Sequence, residues 1–141
     1  MTNGWLAFAG LLSAGASAAH IGVILGGPGW YRTFGAGERL ARAAERGDIY
    51  PALITAAIAT VLAIWAAYAF SGAGLIVRLP LLKTALIAIT AVYLLRAVAY
   101  IPILSFQGLP VGAFAWISSA IVLIYGLAHL AGVWTAWPLL G

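Results

Sequence analysis

Apolar residues run along this chain in four long blocks, broken by short stretches of glycine, proline and polar residues. The blocks cover about 5–27, 49–70, 80–104 and 111–137. A helix rises ~1.5 Å per residue, so about 20 residues cross the ~30 Å hydrocarbon core of a bilayer. Each block has that length, and the pattern predicts four membrane-spanning helices. The fold class expected is all-α: an integral membrane four-helix bundle, one transmembrane domain over residues 1–141, with a short interfacial helix between the first two spans. Ala16-Ser17-Ala18 imitates a leader cleavage site, but residues 1–4 carry no positive side chain and the apolar run continues to Leu25. The first block therefore reads as a retained span.

The one substantial polar stretch is 28–48. Gly26-Gly27-Pro28-Gly29 stops the first helix, and Trp30 and Tyr31 follow at the depth where amphipathic rings favour the interface. Residues 38–46 are good helix formers, with Glu38 and Arg42 spaced for an ion pair and Gly47 suited to a C-terminal cap. Asp48 is placed to cap the second span, and Pro51 is tolerated in its first turn. The later links, around 71–80 and 105–110, are short, so consecutive spans should run antiparallel.

Small residues recur at helical spacing in three spans. Gly10, Ser13, Ser17 and His20 form one stripe, Ala52, Ala56, Ala59, Ala63 and Ala66 a second, and Ser118, Val122, Tyr125, His129 and Gly132 a third. Such stripes let helix backbones approach closely and read first as packing seams. Trp5, Trp116, Trp134 and Trp137 sit near span ends, where an aromatic belt would lie.

Composition strengthens the membrane reading. The chain is 65% hydrophobic and 7% charged, against about 25% charged in soluble domains, and its mean hydropathy is +1.08. The absence of cysteine excludes disulfides, thiolate metal sites and cysteine nucleophiles. Seven basic residues against three acidic ones leave a net charge of +4. No basic stripe with interleaved aromatics is present, so the lipid bilayer, not nucleic acid, is the expected partner. The first loop holds Arg32, Arg39, Arg42 and Arg46, whereas Arg78 and Lys83 fall on the other side. The positive-inside rule then puts the first loop in the cytoplasm and both ends of the chain opposite.

Arg96 lies about eight residues, or roughly 12 Å, inside the end of the third span. An arginine near a helix centre costs ~2.5–3.5 kcal/mol on insertion scales. Either it snorkels to the first-loop surface, or it turns inward to a carboxylate, a carbonyl or an anionic ligand, framed by Tyr93 and Tyr100 at i−3 and i+4. His20 falls on the same membrane face in this topology. A polar cluster of His20, Tyr31, Glu38, Arg96 and Tyr100 is the candidate site, structural or ligand-binding, with Glu38 the preferred partner of Arg96. His129 lies toward the other face and cannot share a metal with His20. With no metal-binding, nucleophile or phosphate-loop motif, no catalytic residue, metal or cofactor is assigned.

His20, Trp30-Tyr31-Arg32, Phe34-Gly35-Ala36-Gly37-Glu38, Ala44-Glu45, Tyr50-Pro51-Ala52-Leu53, Thr55, Tyr68, Ser71-Gly72-Ala73-Gly74-Leu75 and Leu79-Pro80-Leu81-Leu82 together resemble a family of small uncharacterised bacterial inner-membrane proteins. That resemblance covers about residues 20–96 and implies a four-span architecture in the bacterial inner membrane, without an activity. Locally, Glu38-Arg39-Leu40-Ala41-Arg42-Ala43 resembles the E-R-x-x-R-A motif of the membrane-associated proteins in eicosanoid and glutathione metabolism. It implies glutathione contacts at Arg39 and Arg42. The family's downstream Asn is replaced by Arg46 and its matching Glu by Ile49.

Three functions follow as expectations. The first is a non-catalytic scaffold or complex subunit acting through helix–helix contacts, as a homo-oligomer or with other membrane subunits. The second is binding or transport of a small anionic or amphipathic molecule near His20, Arg96 and Tyr100. The third is a glutathione-dependent membrane transferase or isomerase.

Overall fold

The computed structural model describes residues 2–141, and every regular element among them is helical. Four long helices, α1 (Gly4–Gly26), α4 (Tyr50–Gly72), α5 (Leu82–Phe106) and α6 (Ala113–Ala136), are each long and apolar enough to cross a membrane. No more than 28% of the most apolar stretch of any of them is buried within the chain, so most of each surface is left for lipid. In hydrocarbon every backbone N–H and C=O must be paired inside the segment, and the helix does this. Side-chain hydroxyls follow the same logic: Thr55, Thr60, Thr90 and Thr135 each donate to the carbonyl four residues earlier, at 2.7–2.9 Å.

The polar connection resolves into two short helices, α2 (Pro28–Thr33) and α3 (Glu38–Glu45). The expected interfacial helix is α3; α2 is additional, entered through Gly27 at φ 69° with Pro28 in its first turn. At the end of α3, Gly47 N–H donates to Ala44 O and Asp48 N–H to Ala43 O. This pair of bonds requires a left-handed residue at Gly47, φ 79°. Gly74, φ 78°, closes α4 the same way, with Gly74 N–H on Ser71 O and Leu75 N–H on Phe70 O. Asp48 does not match its expected role: its Oδ2 is held by Arg46 at 3.0 Å. α5 starts later than the apolar block, because Leu81 sits in the left-handed region at φ 53°.

The chain forms two compact units, residues 2–12 with Trp65–Gly141, and Ser13–Ile64. In the first unit α5 and α6 pack antiparallel, in register from Lys83 beside Trp137, through Leu94 against Gly126, to Arg96 near Ser118. A Cβ at Gly126 would fall 2.6 Å from the Leu94 side chain, and one at Gly132 would fall 2.6 Å from Leu6. Leu6, Leu82, Leu86, Val133 and Leu140 make the core there. Asn3 ties the ends together: its Oδ1 accepts from Leu6 N–H at 2.9 Å, its Nδ2 donates to Thr135 Oγ1 at 2.9 Å and its N–H donates to Ala73 O. In the second unit Val23, Tyr31 and Ala41 form a small core, and Ser17 Oγ donates to Ala59 O at 2.7 Å, joining α1 to α4.

The seam of α1 matches its burial, with Gly10, Ser13 and Ser17 buried; on α6 His129 and Gly132 are buried but Ser118, Val122 and Tyr125 are half-buried, and Ala115, Ser119 and Gly126 lie deeper. On α4 the seam differs. Ala59 and Ala66 are buried, but Ala56 and Ala63 are exposed, and Thr55, Leu62 and Ala69 complete the buried stripe. Alanine occurs all round this helix, so small size alone does not single out a face; the larger Leu62 and the bonded Thr55 do.

Candidate functional site

The acidic residues are spent in the first loop. Arg32 donates to Glu38 through Nε and Nη2 at 2.9 and 3.0 Å and to Glu45 through Nη1 at 2.7 Å. Arg42 Nε donates to Glu38 at 3.0 Å, the helical i,i+4 pair anticipated from spacing. The hydrogen bonds from Arg32, then those from Arg42, hold the Glu38 carboxyl down at about 2. Arg32 likewise keeps Glu45 below the ordinary carboxylate range, and its bonds to Glu38 and Glu45 raise its own affinity for its proton. Sequence reading counted Arg32 only as charge. The signal for its role was a cation six residues before Glu38, across a Gly35-Ala36-Gly37 turn that folds α2 back beside α3.

The chain holds three carboxylate side chains. Glu38 and Glu45 are bonded to Arg32 and Arg42, and Asp48 to Arg46. Glu38 therefore partners Arg32 and Arg42, and not Arg96 as its sequence position suggested. Arg96 stacks its guanidinium over the Tyr100 ring, 3.7 Å from the centroid. Its Nη2 approaches Ser118 Oγ at 3.4 Å, and its buried Nη1 has no hydrogen-bond partner among the described residues. Of the expected cluster, Arg96 and Tyr100 come together in the first unit. His20, Tyr31 and Glu38 belong to the second. There Tyr31 is a core residue at 2% exposure, its hydroxyl without a partner among the described residues. His20 is half-buried and its Nδ1–H donates to Ala16 O at 2.7 Å.

A second polar centre went unread in the sequence. His129 is fully buried on α6. Its Nδ1 lies 2.9 Å from Tyr125 O; a carbonyl only accepts, so Nδ1 carries the proton and Nε2 is left buried with no hydrogen-bond partner among the described residues. Tyr93 packs 5.0 Å from the His129 ring, 5.6 Å from Tyr125 and 5.0 Å from Trp65, the last two edge-on. The i,i+4 spacing of Tyr125 and His129 was visible, but not the convergence of Tyr93 and Trp65 from two other helices.

Arg78 and Lys83 were read only as topology markers. Arg78 donates to the carbonyls of Leu139, Leu140 and Gly141 at 2.9–3.0 Å, meeting the acceptors that trail a helix C-terminus. Lys83 Nζ lies 3.9 Å from the centre of the Trp137 ring. Of the two arginines singled out for glutathione, Arg42 is bonded to Glu38 and Arg39 is exposed on α3. Comparison of the chain with protein-family models, curated proteins and solved structures finds no match.

Proposed function

We propose that this protein binds a small anionic amphiphile within the membrane, with Arg96 as the anchor and Tyr100 and Ser118 beside it. The observation that carries this reading is an intramembrane guanidinium without a counter-charge. All three carboxylate side chains of the chain are bonded to loop arginines, and the Nη1 of Arg96 is buried with no hydrogen-bond partner among the described residues. Burying a cation unpaired is costly, and an anionic group from outside the chain offsets that cost. The resemblance to small bacterial inner-membrane proteins and the four first-loop arginines support an inner-membrane location with that loop in the cytoplasm. Oleate is a suitable probe. It should raise the thermal midpoint of the detergent-solubilised protein, and oleyl alcohol should not. Arg96→Gln should weaken oleate binding about tenfold, the scale of a lost charge-assisted bond, and Arg96→Lys should retain part of it. Equal oleate shifts in wild type and Arg96→Gln would end the proposal.

A second reading, a non-catalytic scaffold or complex subunit, is supported by the exposed small-residue stripe Ala56, Thr60 and Ala63 on α4. It expects self-association in mild detergent across a concentration series; a monomer throughout would remove it. The glutathione reading has no comparable support, since Arg42 is committed to Glu38.

A further inference from the structure

On the side of α5 away from Arg96, an apolar groove of about 650 Å³ runs between α5 and α6. Ile87, Ala91 and Leu94 form one wall, and Leu130 and Trp134 the other. Thr90 also lines it, but its hydroxyl is bonded to Leu86 O, so it presents no free polar group. Lys83 sits one turn before Ile87 on the same face of α5, and it stacks on Trp137 where the groove ends. A second depression of about 490 Å³, lined by Arg78, Lys83, Thr84 and Leu140 among others, adjoins that end.

We propose that this groove is a binding site for one acyl chain of an anionic phospholipid, with the headgroup phosphate at Lys83. Length supports the occupant: from Lys83 to Leu94 is about 16 Å at ~1.5 Å per residue, half of the ~30 Å hydrocarbon core and so the depth of one leaflet. Charge supports it too. Lys83 lies in the first turn of α5, at headgroup depth, and has no carboxylate partner among the described residues; the three carboxylate side chains of the chain are bonded to loop arginines. The guanidinium of Arg78, held on the main-chain oxygens of Leu139, Leu140 and Gly141, lines the same depression. A zwitterionic headgroup carries the same phosphate with its own ammonium beside it, so it gains less from this end than a net-anionic one. A second copy of this chain would bring no acidic group to it beyond those already bonded. The site is separate from the one proposed at Arg96 and stands without it.

The test compares dioleoyl phosphatidylglycerol with dioleoyl phosphatidylcholine, titrated into the full-length protein in detergent and followed by native mass spectrometry and thermal shift. Wild type should prefer phosphatidylglycerol by about fivefold, the increment expected for one basic group near a membrane surface. Lys83→Gln should abolish that preference while phosphatidylcholine binding persists; Lys83→Arg should restore it. Ala91→Phe, which fills the groove, should reduce both lipids. An unchanged preference in Lys83→Gln overturns the proposal. So does disulfide cross-linking of two copies through Ala91→Cys in phosphatidylcholine alone.

Discussion

Arg32 shows how one side chain organises a loop. Its five donors form a planar fork, and here the fork holds Glu38 in two bonds and Glu45 in a third. Glu38 loses its proton at about 2 in the folded protein, against an ordinary value of 4.5. The stability contributed by its bonds is therefore complete above about 4.5 and lost as pH falls through about 2. A carboxyl-detected NMR titration should place the Glu38 midpoint near 2 in wild type and closer to 4.5 in Arg32→Ala. An unshifted midpoint in the variant would assign the depression to Arg42. These groups are exposed, so the thermal midpoint near neutral pH should change little in Arg32→Ala.

Elements pack here through missing side chains. Gly132 lets α6 approach the Leu6 backbone, where a Cβ would lie 3.1 Å from its nitrogen, and Gly126 does the same against Leu94. Gly132→Ala should destabilise the bundle by about 1–3 kcal/mol, the cost of overpacking a close contact, measurable by steric-trap or denaturant unfolding in micelles. A neutral result would mean that α6 shifts freely. Gly47→Ala tests a different cause. A left-handed alanine at φ 79° has no clash to relieve, only its own backbone strain, so about 1–2 kcal/mol should be lost locally from α3. Faster amide exchange confined to residues 43–48 would be the signature.

For the whole molecule, the governing condition is the solvent. α4 has 23 residues, about 34 Å at ~1.5 Å per residue, enough to separate its two ends by a full bilayer. The chain lacks cysteine, so single-cysteine variants need no background removal. Arg39→Cys, on the loop before α4, and Arg78→Cys, on the link after it, should react with a membrane-impermeant maleimide from opposite sides. Reaction of both from one side would contradict α4 as a span. On the orientation proposed above, Arg39→Cys should react from the cytoplasmic side.

The amino-acid pattern alone determined the four long helices, the short helix α3, the i,i+4 pair of Glu38 and Arg42 and the seam on α1. These rest on length, spacing and glycine position, which are properties of consecutive residues. Tertiary structure decided which charges meet. Glu38 took Arg32 and Arg42 because the Gly35-Ala36-Gly37 turn brings α2 back onto α3, and Arg96 was left with Tyr100 and Ser118. It also decided the face of α4, where alanine on every side left periodicity without contrast. The groove between α5 and α6, and the gathering of Trp65, Tyr93, Tyr125 and His129, depend on how separate helices are rotated against each other. Rotation is set by the summed fit of many weak contacts, and no single stretch of sequence encodes it.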